Sequence, residues 1–423
     1  MAGKVNMIII AMPFPYVGGG GYRALLSIRE YKKRGINPFL VLPWSLNFQF
    51  TDQEKSFLLR EKMRVYGNAM LPKIFSIHFP LRRSLFNLFV FNCLSLVKIT
   101  IDKNIAYNSQ CVMSMHEGID AITTCLRIGE LFSLKRIAIL QSTPFYGDRL
   151  RFKNIEEAYR LWLETLGSFR MLALRNITKE IEQKFSKGVS RLLNDLDLIL
   201  AVSRSIPMEM GEGWLNKIIS LDPGVALSQE DILSINNMSK RKKEKIVVFS
   251  GGLSPRKGII EALIAFKKII KNIGRDYKLA VAGKISDENL KKIRAFCSRL
   301  GIRDNVLFYG FLPREKYLAV VAKSKVMLYP SHVDSFSYAV LEALHLNTPV
   351  VAYDIPALRI YYSGLEGVAL VKELDVEALA QKTVEIIEKK KVFVEKPKFK
   401  KNWDEIMDEE TNIIKSFINR SLR

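Results

Sequence analysis

The chain has 423 residues, 48% of them hydrophobic, so two domain-sized cores are expected rather than one. Its 65 Lys and Arg against 43 Asp and Glu leave a net charge of +22, which suits contact with anionic lipid, nucleic acid or phosphorylated substrates. Four scattered cysteines without a CxxC pair suggest no disulfide framework and no zinc site, and no run of about 18 uninterrupted apolar residues is present to span a membrane.

In chain order, Met1 to Ala11 carries one Lys and passes straight into a strand-like run, Val5–Ala11, with no cleavage pattern. No signal peptide is expected, and the chain is placed in the cytoplasm. A loop, Met12–Gly21, with four consecutive glycines leads into a predicted helix, Tyr22–Arg34, and a strand, Phe39–Leu42. Residues 1–100 hold 14 basic and 4 acidic residues. Leu81 to Phe91 sets Arg82 and Arg83 beside an apolar, aromatic stretch that suits an anionic membrane surface. Leu85–Ile101 is broken by Asn87, Asn92, Ser95 and Lys98 and reads as a buried or membrane-touching helix. Strand Val112–Met115, helix Ile119–Leu131, strand Arg136–Leu140, helical sequence from Phe152 to Leu193 and strand Leu198–Val202 follow.

A break lies between Ser203 and Glu244, where Asp222-Pro-Gly-Val225 reads as a turn and Lys240 to Lys245 as a solvated connector. The pattern then restarts. Strands are predicted at Ile246–Ser250, Lys278–Ala282, Val306–Tyr309, Val326–Tyr329 and Pro349–Tyr353. Helices are predicted at Gly258–Ile273, Asp287–Leu300, Arg314–Ala322, from Ser335–Ser337 onward, Val376–Lys389 and Trp403–Ile418. Alternating strands and helices in both halves predict two doubly wound α/β domains.

Two loops carry chemistry. Phe249 to Gly258 follows a buried strand and opens a helix; its glycines allow backbone to approach a phosphate, and Lys257 neutralises it. It is no Walker A loop, because Gly-Lys-Ser/Thr is missing. Tyr329 to Leu358 reads as strand, acidic loop, helix, strand, with Asp334 and Glu342 eight positions apart. A ligand there would meet a carboxylate, the free N–H groups of a helix start and a second carboxylate two turns along, which suits a sugar nucleotide. An ordinary βαβ unit with an acidic start would share this pattern. In the first half, Ser114-Met-His-Glu-Gly118 ends a strand. His116-Glu117 is not HExxH, since Asp120 stands where the second His belongs. Gln141-Ser-Thr-Pro-Phe145 also follows a strand. His332 adjoins the acidic loop without an evident role, and His78 and His345 read as structural, like the four cysteines.

Pro330, Ser331, Asp334, Phe336, Glu342, Ala343 and Thr348 to Ala352 together resemble the signature of retaining glycosyltransferases of family 4 type, Pro-Ser-x-x-Glu-Gly-Phe-Gly continuing through Glu-Ala to Thr-Pro-Val-Val-Ala. Gly251, Leu253, Lys257 and Gly258 resemble the same family's Gly-Arg-Leu-x-x-x-Lys-Gly. Asp334 stands for the first Glu, Ser335 and Ser337 for two Gly, and Gly252 for the Arg, whose charge Arg256 would have to supply. The resemblance implies the GT-B fold, with two Rossmann-like domains facing across a cleft: residues 1–205 on the acceptor side, with 403–423 packing back on them, and 206–402 binding the donor.

The resemblance also implies transfer of a hexose from a UDP- or GDP-linked donor to a glycan or lipid-linked acceptor, without metal or other cofactor. Lys257, Asp334 and His116 would be catalytic. Gly19, Gly20, Gly251, Gly252, Arg256, Lys257, Asp334, Phe336, Ser337 and Glu342 would hold the donor, Glu342 on the ribose. Peripheral attachment to the inner face of the cell membrane would fit the charge. A catalytically weak sugar-nucleotide-binding subunit is the alternative that Gly252 and Asp334 support. A nucleic-acid-binding protein is suggested by charge alone, and no nucleic-acid partner is expected.

Overall fold

The computed structural model describes residues 4–14, 19–44, 52–70, 93–166 and 186–420. The chain divides into two compact units, one of residues 1–147, 175–225 and 401–423, the other of 148–174 and 226–400.

In the first unit eight described strands run in the order β4-β3-β2-β1-β5-β6-β7-β8. They are β1 Val5–Ile10, β2 Ile36–Leu42, β3 Val65–Met70, β4 Lys98–Ile101, β5 Cys111–Ser114, β6 Lys135–Leu140, β7 Leu198–Ala201 and β8 Ile219–Ser220. All pair in parallel except β3 with β4. Met7 to Ile10 are fully buried, as a central strand covered on both faces requires. Strand β4 lies at the edge and alternates exposed Lys98 and Thr100 with half-buried Ile99 and Ile101.

That alternation corrects the helix expected over Leu85–Ile101. From Leu94 the chain makes one 3-10 turn, Leu94–Leu96, and then pairs as a strand, because Ile99, Thr100 and Ile101 are β-branched and only one face is covered. The Arg82 and Arg83 stretch lies outside the described residues. Cys93 is half-exposed, with its sulfur 3.0 Å from Ser95 Oγ, rather than a core residue. Cys111, Cys125 and Cys297 are buried, and burial pushes the last two thiols up to about 12.

Helix Gly19–Lys33 begins three residues before the expected Tyr22. A Cβ on Gly21 would stand 2.4 Å from the Phe14 carbonyl oxygen, so the glycines form the tight entry to the helix rather than a loop before it. Two residues on, Arg23 is 1% exposed. Its guanidinium donates to Glu410 at 2.5 Å and to the Gly224 carbonyl at 2.8 Å, and Tyr31 donates to the same Glu410. This buried cluster fastens helix Trp403–Arg420 and the Asp222–Val225 turn to the first unit.

The second unit has six described strands, all parallel, in the order β11-β10-β9-β12-β13-β14. They are β9 Ile246–Ser250, β10 Lys278–Ala282, β11 Val306–Gly310, β12 Val326–Tyr329, β13 Val350–Tyr353 and β14 Val368–Val371. The doubly wound α/β expectation holds in each unit. Helix Arg149–Leu166 packs in the second unit although it precedes β7 in sequence. Arg151 reaches Glu373 at 2.5 Å and the His332 carbonyl at 2.6 Å, and Asn154 reaches Glu373 at 2.6 Å. Packing draws the boundary after Val225, not at 205, and places helix Arg149–Leu166 across it, because these polar anchors do not show in hydrophobic spacing.

Both sheets reverse their strand order beside their first strand, at β1/β5 and at β9/β12. In open parallel sheets such reversals leave a crevice at the carboxyl ends of the strands, where ligands bind.

Candidate functional site

At the second reversal, β9 ends at Ser250 and β12 at Tyr329, so their following loops lie side by side. Gly251 donates its N–H to the Ala282 carbonyl at 3.1 Å, and Gly252 is exposed with open space where a side chain would begin. A 3-10 turn, Pro255–Lys257, leads to Gly258, whose φ is 69°. A Cβ on Gly258 would lie 2.0 Å from the Pro330 carbonyl oxygen. Only glycine fits both the dihedral and the contact. Gly258→Ala is therefore expected to cost about 3 kcal/mol of stability, the upper range for a strained backbone position. An unchanged denaturant midpoint would show that the two loops can separate freely.

The second loop is pinned to the first by the His332 N–H, which donates to the Arg256 carbonyl at 2.9 Å and leaves the Arg256 side chain exposed. Lys257 Nζ lies 2.9 Å from the Val333 carbonyl and 3.1 Å from Asp334 Oδ2. Tyr329 donates its hydroxyl to that same oxygen at 2.5 Å, and the Ser335 N–H reaches Oδ1 at 2.9 Å. Burial alone would raise the Asp334 carboxyl. The Lys257 ammonium and these hydrogen bonds outweigh burial and hold it below its usual value. Asp334 is thus ionised, beside Lys257 and a glycine loop.

Helix Tyr338–His345 starts just beyond, with Ser337 as its cap rather than its first turn. Ser337 sits at φ 68°, in the left-handed region, where the resembled motif has glycine. Its Oγ accepts from the Val340 N–H at 3.3 Å and its carbonyl accepts from the Tyr362 hydroxyl at 3.0 Å, which hold the strained backbone. Phe336 is buried against Tyr361, Tyr362 and Phe399, so its side chain anchors the loop and only its backbone could face a ligand. Glu342 is 3% exposed. Arg314 bridges Glu342 Oε1 at 2.8 Å and Asp231 Oδ1 at 2.5 Å. Burial raises the Glu342 carboxyl above its usual value, and Arg314 offsets only part of that.

At the first unit's reversal, His116 follows β5 and is half-buried. The Gly118 N–H donates to its Nδ1 at 3.1 Å, which in the neutral ring leaves the proton on Nε2, able to donate. Glu117 Oε2 accepts the N–H groups of Gln141 at 3.1 Å and Ser142 at 3.0 Å, tying the loops after β5 and β6. Gln141 Oε1 lies 3.3 Å from where a Cβ on Gly20 would be. Gly19 is exposed at the helix start.

Residues 233–405 match the family described as Glycosyl transferases group 1. The matched residues fall almost wholly in the second unit. An uncharacterized glycosyltransferase of Methanocaldococcus jannaschii is 29% identical over 135 residues, covering 32% of this chain and 34% of that one. A D-inositol 3-phosphate glycosyltransferase of Segniliparus rotundus is 26% identical over 205 residues, 45% of each chain. The match therefore spans between a third and a half of the length of these curated relatives. Over 99% of this chain, the crystal structure of Anabaena HepE in complex with UDP and glucose aligns with a TM-score of 0.59 and 15% identity, covering 98% of that chain. At this identity the likeness is one of fold, and the fold is GT-B.

Within the matched residues, the sequence-predicted Gly251, Gly252, Arg256, Lys257, Asp334, Phe336 and Ser337 fall on two adjacent loops. Glu342 lies on the helix that follows, turned toward Arg314. His116, Gly19 and Gly20 gather separately at the carboxyl ends of β1 and β5. Sequence reasoning missed Tyr329 and Arg314. Tyr329 ends a buried strand and reads as core. Arg314 opens a helix twenty-eight positions from Glu342, with nothing local to mark the pair.

Proposed function

We propose that the protein is a retaining, metal-independent glycosyltransferase of family 4 type. It would move a hexose from a UDP- or GDP-linked donor to a hydroxyl of a glycan or lipid-linked acceptor. The observation that carries this reading is the placement of Lys257 within 3.1 Å of Asp334, beside a glycine loop and a helix start at the strand-order reversal of the second unit. A diphosphate brings more negative charge than one carboxylate, so it would draw Lys257 from Asp334 and take the N–H groups of the helix start. Asp334 would then be released toward sugar hydroxyls, Glu342 would hold the ribose and His116 would donate from Nε2 to the transferred sugar. Arg256, exposed on the same loop, would supply the guanidinium that Gly252 lacks. Gly19 and Gly20 would present backbone to the donor phosphates.

The same reading places the protein in the cytoplasm, at the inner face of the membrane when its acceptor is lipid-linked. Among the described residues no helix is long and apolar enough to cross a membrane.

A second reading is favoured by the occupancy of the carboxylates. Asp334 accepts from Lys257, Tyr329 and Ser335, and Glu342 is held by Arg314. A protein that keeps these bonds would bind the nucleotide sugar weakly and not transfer it. Thermal shift against UDP- and GDP-sugars, then transfer assays in excess EDTA with the product anomer read by NMR, separates the two. Transfer with retention and undiminished in EDTA is expected. Loss of transfer with chelator, restored by Mg²⁺ or Mn²⁺, would count against the proposal, and donor binding without transfer would favour the second reading.

A further inference from the structure

The second unit has a second chemically distinct edge, at the amino ends of its six described parallel strands, away from the loops described above. Lys245 precedes β9, and its carbonyl accepts the N–H of Lys278, which opens β10, at 3.0 Å. Lys325 precedes β12 and donates its N–H to the Ile246 carbonyl at 2.8 Å. Lys243 donates to Thr348 Oγ1 at 2.6 Å, just before β13. The segment 389–396 then passes the start of β14. The Glu395 N–H donates to the Glu366 carbonyl at 2.8 Å, and the Phe393 carbonyl lies 3.1 Å from where a Cβ on Gly367 would stand.

That segment reads Lys-Lys-Lys-Val-Phe-Val-Glu-Lys, four lysines against one glutamate, and beyond it the chain leaves this edge, Phe399 packing on Phe336. All four lysines are exposed, and among the described residues none is held in an ion pair. Val394 is 8% exposed and Phe393 is 66% exposed, so one valine anchors the segment and turns the phenyl ring to solvent. The field of this edge acts on neighbouring groups. Burial and then Lys325 depress the Lys243 ammonium to about 8, and burial and then Lys396 lower His345.

We propose that this edge, centred on Lys389–Lys396, is a docking surface for an anionic lipid bilayer. Lysines attract the headgroup phosphates, and Phe393 between two valines enters the boundary below them. A nucleic acid would draw on arginines and on a row of stacking aromatics, whereas this segment offers lysines and one exposed ring. The inference does not depend on the catalytic reading, because none of these residues is placed in the donor site.

The test is flotation of the full chain with vesicles of phosphatidylcholine, with and without phosphatidylglycerol, at low and high salt. The triple variant Lys389→Glu, Lys390→Glu, Lys391→Glu and the single variant Phe393→Ser are compared with the wild type after their melting curves are matched. Wild-type chain should float only with anionic vesicles and sink at high salt. The triple variant should lose about a hundredfold in partitioning, since each surface lysine contributes about fivefold. Phe393→Ser should weaken binding without changing its salt dependence. UDP binding should be equal in all three. Flotation equal in wild type and triple variant, or loss only in Arg82→Ser/Arg83→Ser, would overturn the proposal. So would an RNA gel shift that tracks the lysines while vesicles bind nothing.

Discussion

Lys257→Ala is expected to lower turnover about 10²–10³-fold, the loss found when one transition-state donor is removed. In the resting site the ammonium is shared between the Val333 carbonyl and Asp334. Neither contact requires a cation for folding, because Asp334 keeps the Tyr329 hydroxyl and the Ser335 N–H. The variant should therefore stay folded, and its defect should fall on the step in which charge builds on the departing diphosphate. That predicts a fall in kcat larger than the rise in KM for the donor. Arg256→Ala should be nearly as harmful if its exposed guanidinium replaces the one missing at Gly252. Gly252→Arg, which enters open space, should then restore part of the Arg256→Ala loss. A folded Lys257→Ala variant with wild-type turnover would remove the lysine from the mechanism.

Much of the second unit was legible because its strands are apolar runs with a helix between each pair. The spacing that placed β9, β10, β12 and β13 also placed the two loops between β9 and β12. Strand β14 and helix Pro356–Tyr362 were not legible: four residues, Val-Ala-Leu-Val, and a seven-residue helix are too short for periodicity to show. Helix Gln229–Met238 hid in the break, although Ser228 and Asp231 form a capping box that sequence could have offered. The helix Arg149–Leu166 read correctly as helix but not as part of the second unit, since Arg151 and Asn154 choose their partners some 220 residues away. At the site, Lys257 and Asp334 were legible as residues but not as each other's partners. Glu342 was legible as a carboxylate on the helix but not as one that Arg314 already holds.

His332, which carried no assigned role in the sequence, is expected to make the stability of the second unit pH-dependent. The ring is fully buried, with Nδ1 2.7 Å from Glu373 Oε1 and Nε2 2.8 Å from Glu261 Oε1. A neutral imidazole has one N–H and would set its other lone pair against a carboxylate, whereas the imidazolium donates to both. Burial pulls the imidazolium down, but its hydrogen bonds to the two carboxylates outweigh it and raise His332 above its ordinary value. A raised histidine contributes stability fully below its unfolded value, about 6.5. That stability is lost as pH rises through the folded value. Glu373, which His332 and Arg151 hold below its usual value against burial, acts in the opposite sense. It contributes above its unfolded value, and the contribution is lost as pH falls through the lowered one. The network is therefore complete in the window between these two shifts. His332→Gln keeps the approximate shape but leaves two buried carboxylates short of a cation, which typically costs about 3–5 kcal/mol. The cost should be largest near pH 6 and shrink as pH rises through the raised folded value, where the wild-type ring loses its own charge. Denaturant midpoints of both proteins across that range provide the check. A difference that stays constant with pH would mean that His332 is neutral in the folded chain and that one of its acidic neighbours carries the proton instead.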